Sequence, residues 1–350
     1  MSSPEPEPEP TPPLSAAPNK LLPLLIHGVR DSHSPLHIFL RDTDAFRLVL
    51  KAICIQNFQD WIDPGVRDHS TGYPSLSNRP IPKGMVVFPE HINFPPPLLD
   101  EHGTPRAFQV NMMPFEMINP DPGLNSYFLY WDHEYNAETV ANALPKDCKR
   151  YSPLIAACLR RCKTEWGKTG YLTIHESYVE EGECQRRPGL HIESPGGAVI
   201  GGPPIKAHAY HRWYCWGGGK AGNRKEGTLD YKGQVNVEGG IFIASNLDDT
   251  CKVWDCMIKD HGNVTYPLGN IEHMRDALDV TETEVKLKAN QLAWITDRTP
   301  HESLAQPKAG FRQFFRLVTS ELSLWYSEHN TPNEVGTLPA CDVVMGNKFQ

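Results

Sequence analysis

His191-Ile192-Glu193 and His301 contribute two imidazoles and one carboxylate from segments 110 positions apart. If the first segment is extended, residues i and i+2 share a face, so His191 and Glu193 point the same way. Two histidines and a carboxylate on one face of an octahedral ion are the donor set of the facial triad. That set holds ferrous iron and leaves the opposite positions open for substrate and oxygen. Arg312 and Arg316 follow His301 in the run Phe311-Arg312-Gln313-Phe314-Phe315-Arg316-Leu317. In a strand, Arg312, Phe314 and Arg316 lie on one face and Phe311, Gln313, Phe315 and Leu317 on the other. A guanidinium is a planar fork matched to a carboxylate. Two on one face therefore suit either anionic ligands or salt bridges to Asp and Glu.

The elements around these residues must hold them in place. Residues 171–179 alternate β-branched or aromatic with polar side chains and read as a strand, as do 240–246, 250–258, 285–287, 291–296 and 311–319. Helical periodicity is read at 43–61, 137–145, 150–165 (ending near Gly167) and 271–278. Many short strands separated by Gly, Pro and Asp turns predict a mainly β sandwich or barrel with helices buttressing one sheet. Residues 194–238 form a long insertion containing Trp213-Tyr214-Cys215-Trp216 and many glycines. It reads either as a lid or substrate wall, or as a surface excursion pinned by its tryptophans.

The order of these parts resembles the Fe(II)/2-oxoglutarate-dependent oxygenases, which carry His-x-Asp/Glu, a distal His and then an Arg. The resemblance spans roughly residues 168–320 and rests on about five positions, with Arg186-Arg187-Pro188-Gly189-Leu190 leading into the first metal segment and 290–301 delivering the distal His. It implies a mainly β fold with flanking helices and a double-stranded β-helix (jelly-roll) core. It implies His191, Glu193 and His301 as Fe(II) ligands, Arg312 on the distal carboxylate of 2-oxoglutarate, and O2 as oxidant. Arg316 would bind a substrate anion, or else support Arg312 or Glu302. Ser245 and Asn246, at a strand end, and Val343 and Met345, in an apolar tail, are further substrate-contact expectations. The implied reaction is hydroxylation, desaturation or cyclisation of a small anionic molecule such as an amino acid or specialised metabolite. Glu193 stands where aspartate is more usual, and the 107 residues between Glu193 and His301 exceed the usual interval. Two other readings stay open: a cupin-like metal enzyme indifferent to the keto acid, and a non-catalytic jelly-roll binding module.

Composition sets outer limits. With 350 residues the chain can bury a large core. A net charge of −8 disfavours a general nucleic-acid binder, which needs a basic stripe for phosphates. No apolar run reaches the roughly 20 residues needed to span a bilayer. The Glu-Pro repeat between Glu5 and Pro10 denies the chain both backbone donors and an apolar face. Residues 1–18 are accordingly expected to be a disordered acidic tail, with no secretory signal. Residues 19–350 are read as one catalytic domain: helix-rich 19–166, core 167–320 and a packed tail 321–350. Nine cysteines without a CxxC pair favour reduced thiols and a cytoplasmic location. Cys158 and Cys162, one helical turn apart, lack further zinc ligands and read as buried thiols. His208 and His211 lie in Gly/Pro-rich surroundings that weaken a metal-binding reading. His175 reads as a hydrogen-bonded core histidine or a cavity residue.

Overall fold

Strand alternation organises the core around β11 (Gly310–Val318), which pairs antiparallel with β3 (Thr169–Val179) along its length and with β6 (Ile241–Ser245) over its second half. These strands sit in a six-stranded sheet whose order is β1 (Met85–His91), β9 (Gln291–Ile295), β6, β11, β3 and β2 (Phe108–Glu116), antiparallel throughout. A three-stranded antiparallel sheet joins β10 (His301–Ser303), β7 (Cys251–Trp254) and β8 (Glu284–Lys286). His191 bridges antiparallel to His301 and to Asn270, so the His-x-Glu segment extends that sheet. The computed structural model describes residues 84–120, 137–194, 215–221, 236–258, 265, 267–279, 281 and 283–348, all within the unit spanning 59–350. The expected acidic tail, the 43–61 helix, His208, His211, Trp213, Tyr214 and most of the insertion lie outside the described residues.

Period-two alternation assigns each face of the large sheet to its own core. Leu172, Ile174, Phe242, Ala244, Trp294, Phe315 and Leu317 point one way. There they meet α1 (Glu138–Ala141), a 3-10 turn at Lys146–Tyr151, and α2 (Ser152–Arg161). Tyr171, Ile241, Ile243, Ala293, Ile295 and Val318 point the other way and pack with Val253, Leu324, Trp325 and Tyr326. The expected strands and the 150–165 helix are thus present, and the region expected to be helical at 271–278 is a 3-10 turn running into α3 (Arg275–Asp279). The chain is mainly β, with antiparallel sheets and a few helices. Among the described residues, no helix is long and apolar enough to cross a membrane, and the eight described cysteines are free thiols.

Gln313 and Phe315 fasten the helices to the sheet. The Phe315 ring is fully buried and stacks on Tyr151, with centroids 6.1 Å apart and planes at 9°. Gln313 donates to Glu176 Oε1 at 2.8 Å and to the Pro95 carbonyl at 2.9 Å. Arg150 donates to Glu176 Oε2 at 2.6 Å, so the buried carboxylate is charge-paired. Truncating Phe315 to alanine removes a large buried ring from a closed core and is expected to cost about 3–5 kcal/mol. A urea melt reads this loss directly, and a change below about 1 kcal/mol would mean that the helices do not depend on this contact.

The C-terminal stretch folds back onto the domain, as its apolar character suggested. β13 (Asp342–Val344) pairs in parallel with β12 (Leu324–Tyr326). Short β4 (Lys220–Ala221) and β5 (Val237–Glu238) pair with each other at the described ends of the insertion.

Candidate metal centre and its cavity

His191, Glu193 and His301 reach one another although they come from two stretches of backbone 110 positions apart. One ligand atom from each lies within 4.8 Å of the others. Glu193 Oε1 is 3.8 Å from His301 Nε2, and the two imidazole centroids are 4.4 Å apart. The backbones that carry the two histidines are locked together: His191 N–H donates to His301 C=O at 3.0 Å and His301 N–H to His191 C=O at 2.9 Å.

The imidazoles are oriented by a shared local device. His191 Nδ1 lies 2.7 Å from the Gly189 carbonyl, and His301 Nδ1 lies 2.9 Å from the Thr299 carbonyl. A carbonyl can only accept, so in each ring Nδ1 carries the proton and Nε2 presents a lone pair. A carbonyl holding Nδ1 fixes the ring orientation and tautomer, as it does for histidines that bind metal through Nε2. Burial, followed by His301 and Arg187, lowers the His191 imidazole well below its ordinary pKa and keeps it neutral. Burial acts to raise the Glu193 carboxyl, but Arg316, His301 and Lys348 outweigh it and hold that group ionised. Two imidazoles and a carboxylate are a donor set that fits a borderline divalent ion.

Gly269 sets the height of the His-x-Glu segment. Its carbonyl accepts the Ile192 N–H at 2.9 Å, its φ is +76°, and an added Cβ would sit 2.0 Å from the Ile192 carbonyl oxygen. Only glycine allows this approach. Leu268 beside it also has a positive φ of 62°.

A solvent-open cavity of about 90 Å³ is lined by the three groups. Asn111, Met112, Trp216, Ile243, Phe314 and Arg316 form much of its wall. Arg316 reaches inward and hydrogen-bonds Glu193 through Nη1, with Nη2 3.4 Å from Thr173 Oγ1. It therefore supports neither Arg312 nor Glu302; Glu302 is bound instead by Arg275 and Lys252.

Arg312 lies on the same face of β11 and is fully buried. Its Nε is 3.3 Å from Ser245 Oγ, and Nη1 and Nη2 have no hydrogen-bond partner among the described residues. The guanidinium centre is 5.5 Å from the ring of Phe314, which lines the cavity. Ser245 thus serves Arg312 and does not line the cavity. Asn246 continues the sheet by bonding Gln313 N–H (2.7 Å) and the Phe311 carbonyl (3.2 Å). Val343 and Met345 are also outside the cavity wall: they are 50% and 77% exposed because β13 is an edge strand on β12. From that tail it is Lys348 that lines the cavity. Of the two readings of His175, core histidine or cavity residue, the second fails because His175 is not among the wall residues. Its Nδ1 is buried without a partner among the described residues, and burial, then Arg186 and Arg312, push the imidazole down to about 4.

Several cavity residues carried no assignment from sequence. Asn111 and Met112 are turned inward by a bulge in β2, where Met112 has φ 47°. The bulge is held from outside the strand, since Trp325 Nε1 donates to Met112 C=O at 2.7 Å and Met112 N–H to Thr173 Oγ1 at 3.1 Å. Arg186 and Arg187 also line the cavity, and their adjacency to the His-x-Glu segment was the available signal.

Asp297 ties the turn before His301 to the Cys215–Gly218 stretch. Trp216 N–H donates to its Oδ2 at 3.1 Å, and Ser194 N–H to its carbonyl at 2.8 Å. Burial pushes its carboxyl up to about 6, against the Trp216 and Gly218 backbone contacts and Arg298, while Glu321 adds to the rise. A carboxyl raised on folding stabilises the fold below its unfolded pKa near 3.8, and that contribution is lost as pH rises through 6. The loss is on the order of 3 kcal/mol. Asp297→Asn keeps an acceptor for Trp216 and removes the charge. The variant is expected to melt higher than wild type at pH 8 and to lose the difference near pH 4, in paired thermal melts.

No family model and no curated protein sequence matches the chain. Among solved structures, a match is found to HygX from Streptomyces hygroscopicus with nickel and 2-oxoglutarate bound. It is 9% identical, covers 69% of this chain and 86% of that one, and has a TM-score of 0.27. A score of that size does not establish a shared fold.

Proposed function

We propose that this protein is an Fe(II)- and 2-oxoglutarate-dependent oxygenase that oxidises a small anionic molecule by hydroxylation, desaturation or ring closure. The reading is carried by one observation: two histidines with Nδ1 committed to carbonyls and one ionised carboxylate converge at the floor of an open cavity. Strand pairing supports a double-stranded β-helix core. In chain order, β3, the His191 segment, β6, β7, β8, β9, β10 and β11 pair first with last, second with seventh, third with sixth and fourth with fifth. One long antiparallel ribbon folded over on itself produces that nesting, which is the construction of a jelly roll.

His191 Nε2, His301 Nε2 and a Glu193 oxygen would hold the metal. When bound, ferrous iron with the keto acid and O2 supplies the oxidising power, with decarboxylation of the keto acid to succinate. Arg312 meets the distal carboxylate of the keto acid, because its two terminal nitrogens are buried with donors to spare. An uncompensated buried guanidinium is costly, and a bidentate carboxylate offsets that cost. Phe314, Ile243 and Trp216 keep the reacting region apolar and limit water around it.

Anaerobic addition of Fe(II), then 2-oxoglutarate, tests the reading. A weak visible charge-transfer band that needs both additions is the expected result. Iron binding without the band would indicate a metal enzyme that does not use the keto acid. A folded protein that binds no iron would indicate a binding module.

A further inference from the structure

More positive charge faces the cavity than a metal, its ligands and a keto acid account for. Arg186, Arg187, Arg316 and Lys348 all line it, and among the described residues Glu193 is the one carboxylate that does. They come from the loop before the metal segment, from β11 and from the C-terminal stretch, so they surround the cavity from separate directions. Arg316 alone is occupied by Glu193. Arg187 uses one nitrogen on the Leu268 carbonyl, at 3.0 Å. Arg186 lies over the Phe314 ring at 5.1 Å, and Lys348 Nζ over the Trp216 ring at 4.3 Å. Neither Arg186 nor Lys348 has a carboxylate at ion-pair distance among the described residues.

The balance is lopsided. With Arg312 counted beside the four lining cations, five positive charges against Glu193 leave four, a divalent metal adds two, and a doubly charged keto acid removes two. Four positive charges then remain for the substrate. Cations held together in a partly dry cavity repel one another and lose hydration. Burial first, with the neighbouring cations adding to it and Glu193 opposing it, weakens protonation of both Arg186 and Lys348. A planar carboxylate is satisfied by one guanidinium fork, whereas a tetrahedral dianion can accept donors from several sides at once.

We infer that Arg186, Arg187 and Lys348 form a cradle for the phosphate group of a phosphorylated small-molecule substrate, oriented so that its carbon skeleton reaches the metal centre. This deepens the oxygenase reading and rests on it for the identity of the reaction, although the anion site itself does not need the metal. Trp216 and Phe314 would flank the organic part, and Asn111 and Asn330 supply neutral polar contacts.

Calorimetric titration of the full-length protein with glycerol 3-phosphate, with malonate as a dicarboxylate of equal charge for comparison, tests the cradle. It is run with and without Fe(II) and 2-oxoglutarate, anaerobically. Glycerol 3-phosphate is expected to bind at least tenfold more tightly than malonate in both states, and more weakly as salt rises. Lys348→Ala and Arg187→Ala are each expected to weaken it by tenfold or more, with Lys348→Arg recovering part of the loss. Equal or tighter binding of malonate would overturn the phosphate assignment. No phosphate binding, or binding unchanged in Lys348→Ala and Arg187→Ala, would overturn the cradle. If the visible band forms and phosphate does not bind, the cradle fails and the oxygenase reading stands. Phosphate binding without the band sinks the oxygenase reading and leaves the anion site.

Discussion

His301→Ala is expected to remain folded and lose its metal. The β10 pairing to the His191 segment runs through backbone groups, which the substitution leaves in place. The side chain gives up one hydrogen bond to the Thr299 carbonyl, worth about 1 kcal/mol. Loss of a second-shell partner already lowers metal affinity by about 10–100-fold, and His301 would be a direct ligand, so its removal is expected to exceed that range. Metal content after equilibrium dialysis, measured beside a thermal melt, separates the two effects. Wild-type Fe(II) content in the variant would mean that these three residues are not the metal centre.

Arg312→Ala is expected to raise the 2-oxoglutarate concentration needed for half-saturation by about 30-fold or more. That figure corresponds to losing one partner of a desolvated charge pair, at least about 2 kcal/mol. Within the described residues the side chain makes one hydrogen bond, to Ser245 at 3.3 Å, and lies 5.5 Å from the Phe314 ring, so a thermal melt accompanies the rates to separate any packing loss. Arg316→Ala acts differently: it strips Glu193 of its cation and is expected to alter metal binding before keto-acid binding. If Arg316→Ala raises the 2-oxoglutarate requirement and Arg312→Ala does not, the two arginines exchange roles. Measuring initial rates against the keto acid at saturating Fe(II) decides between them.

Part of this site was legible in the chain because His301, Arg312 and Arg316 lie on regular strands. Alternation in 171–179 and 311–319 put Arg312 and Arg316 on the inner face and Phe315 on the helix face, and both hold. The His-x-Glu spacing likewise implied a common direction for His191 and Glu193, which meet His301. What escaped was set by tertiary contacts. Nothing local marks Met112 for a left-handed backbone; Trp325, over 200 residues later, holds its carbonyl. An apolar tail suggested Val343 and Met345 as wall residues, yet parallel pairing on β12 turned them outward and Lys348 inward. The role of Arg186 and Arg187 depends on a cavity whose other cations arrive from distant parts of the chain.

The nested pairing also orders how the chain can assemble. Val253 and Val285 are 32 positions apart, Ile243 and Ala293 are 50, His191 and His301 are 110, and His175 and Phe314 are 139. Closing a long loop costs more entropy than closing a short one, but each inner pair shortens the loop left for the next. The ribbon is therefore expected to zip from the β7–β8 hairpin outward, bringing the two histidines together after the inner pairs have formed. On the proposed reading a metal ion would meet a nearly finished fold, so on unfolding metal loss is expected to precede loss of the inner hairpin.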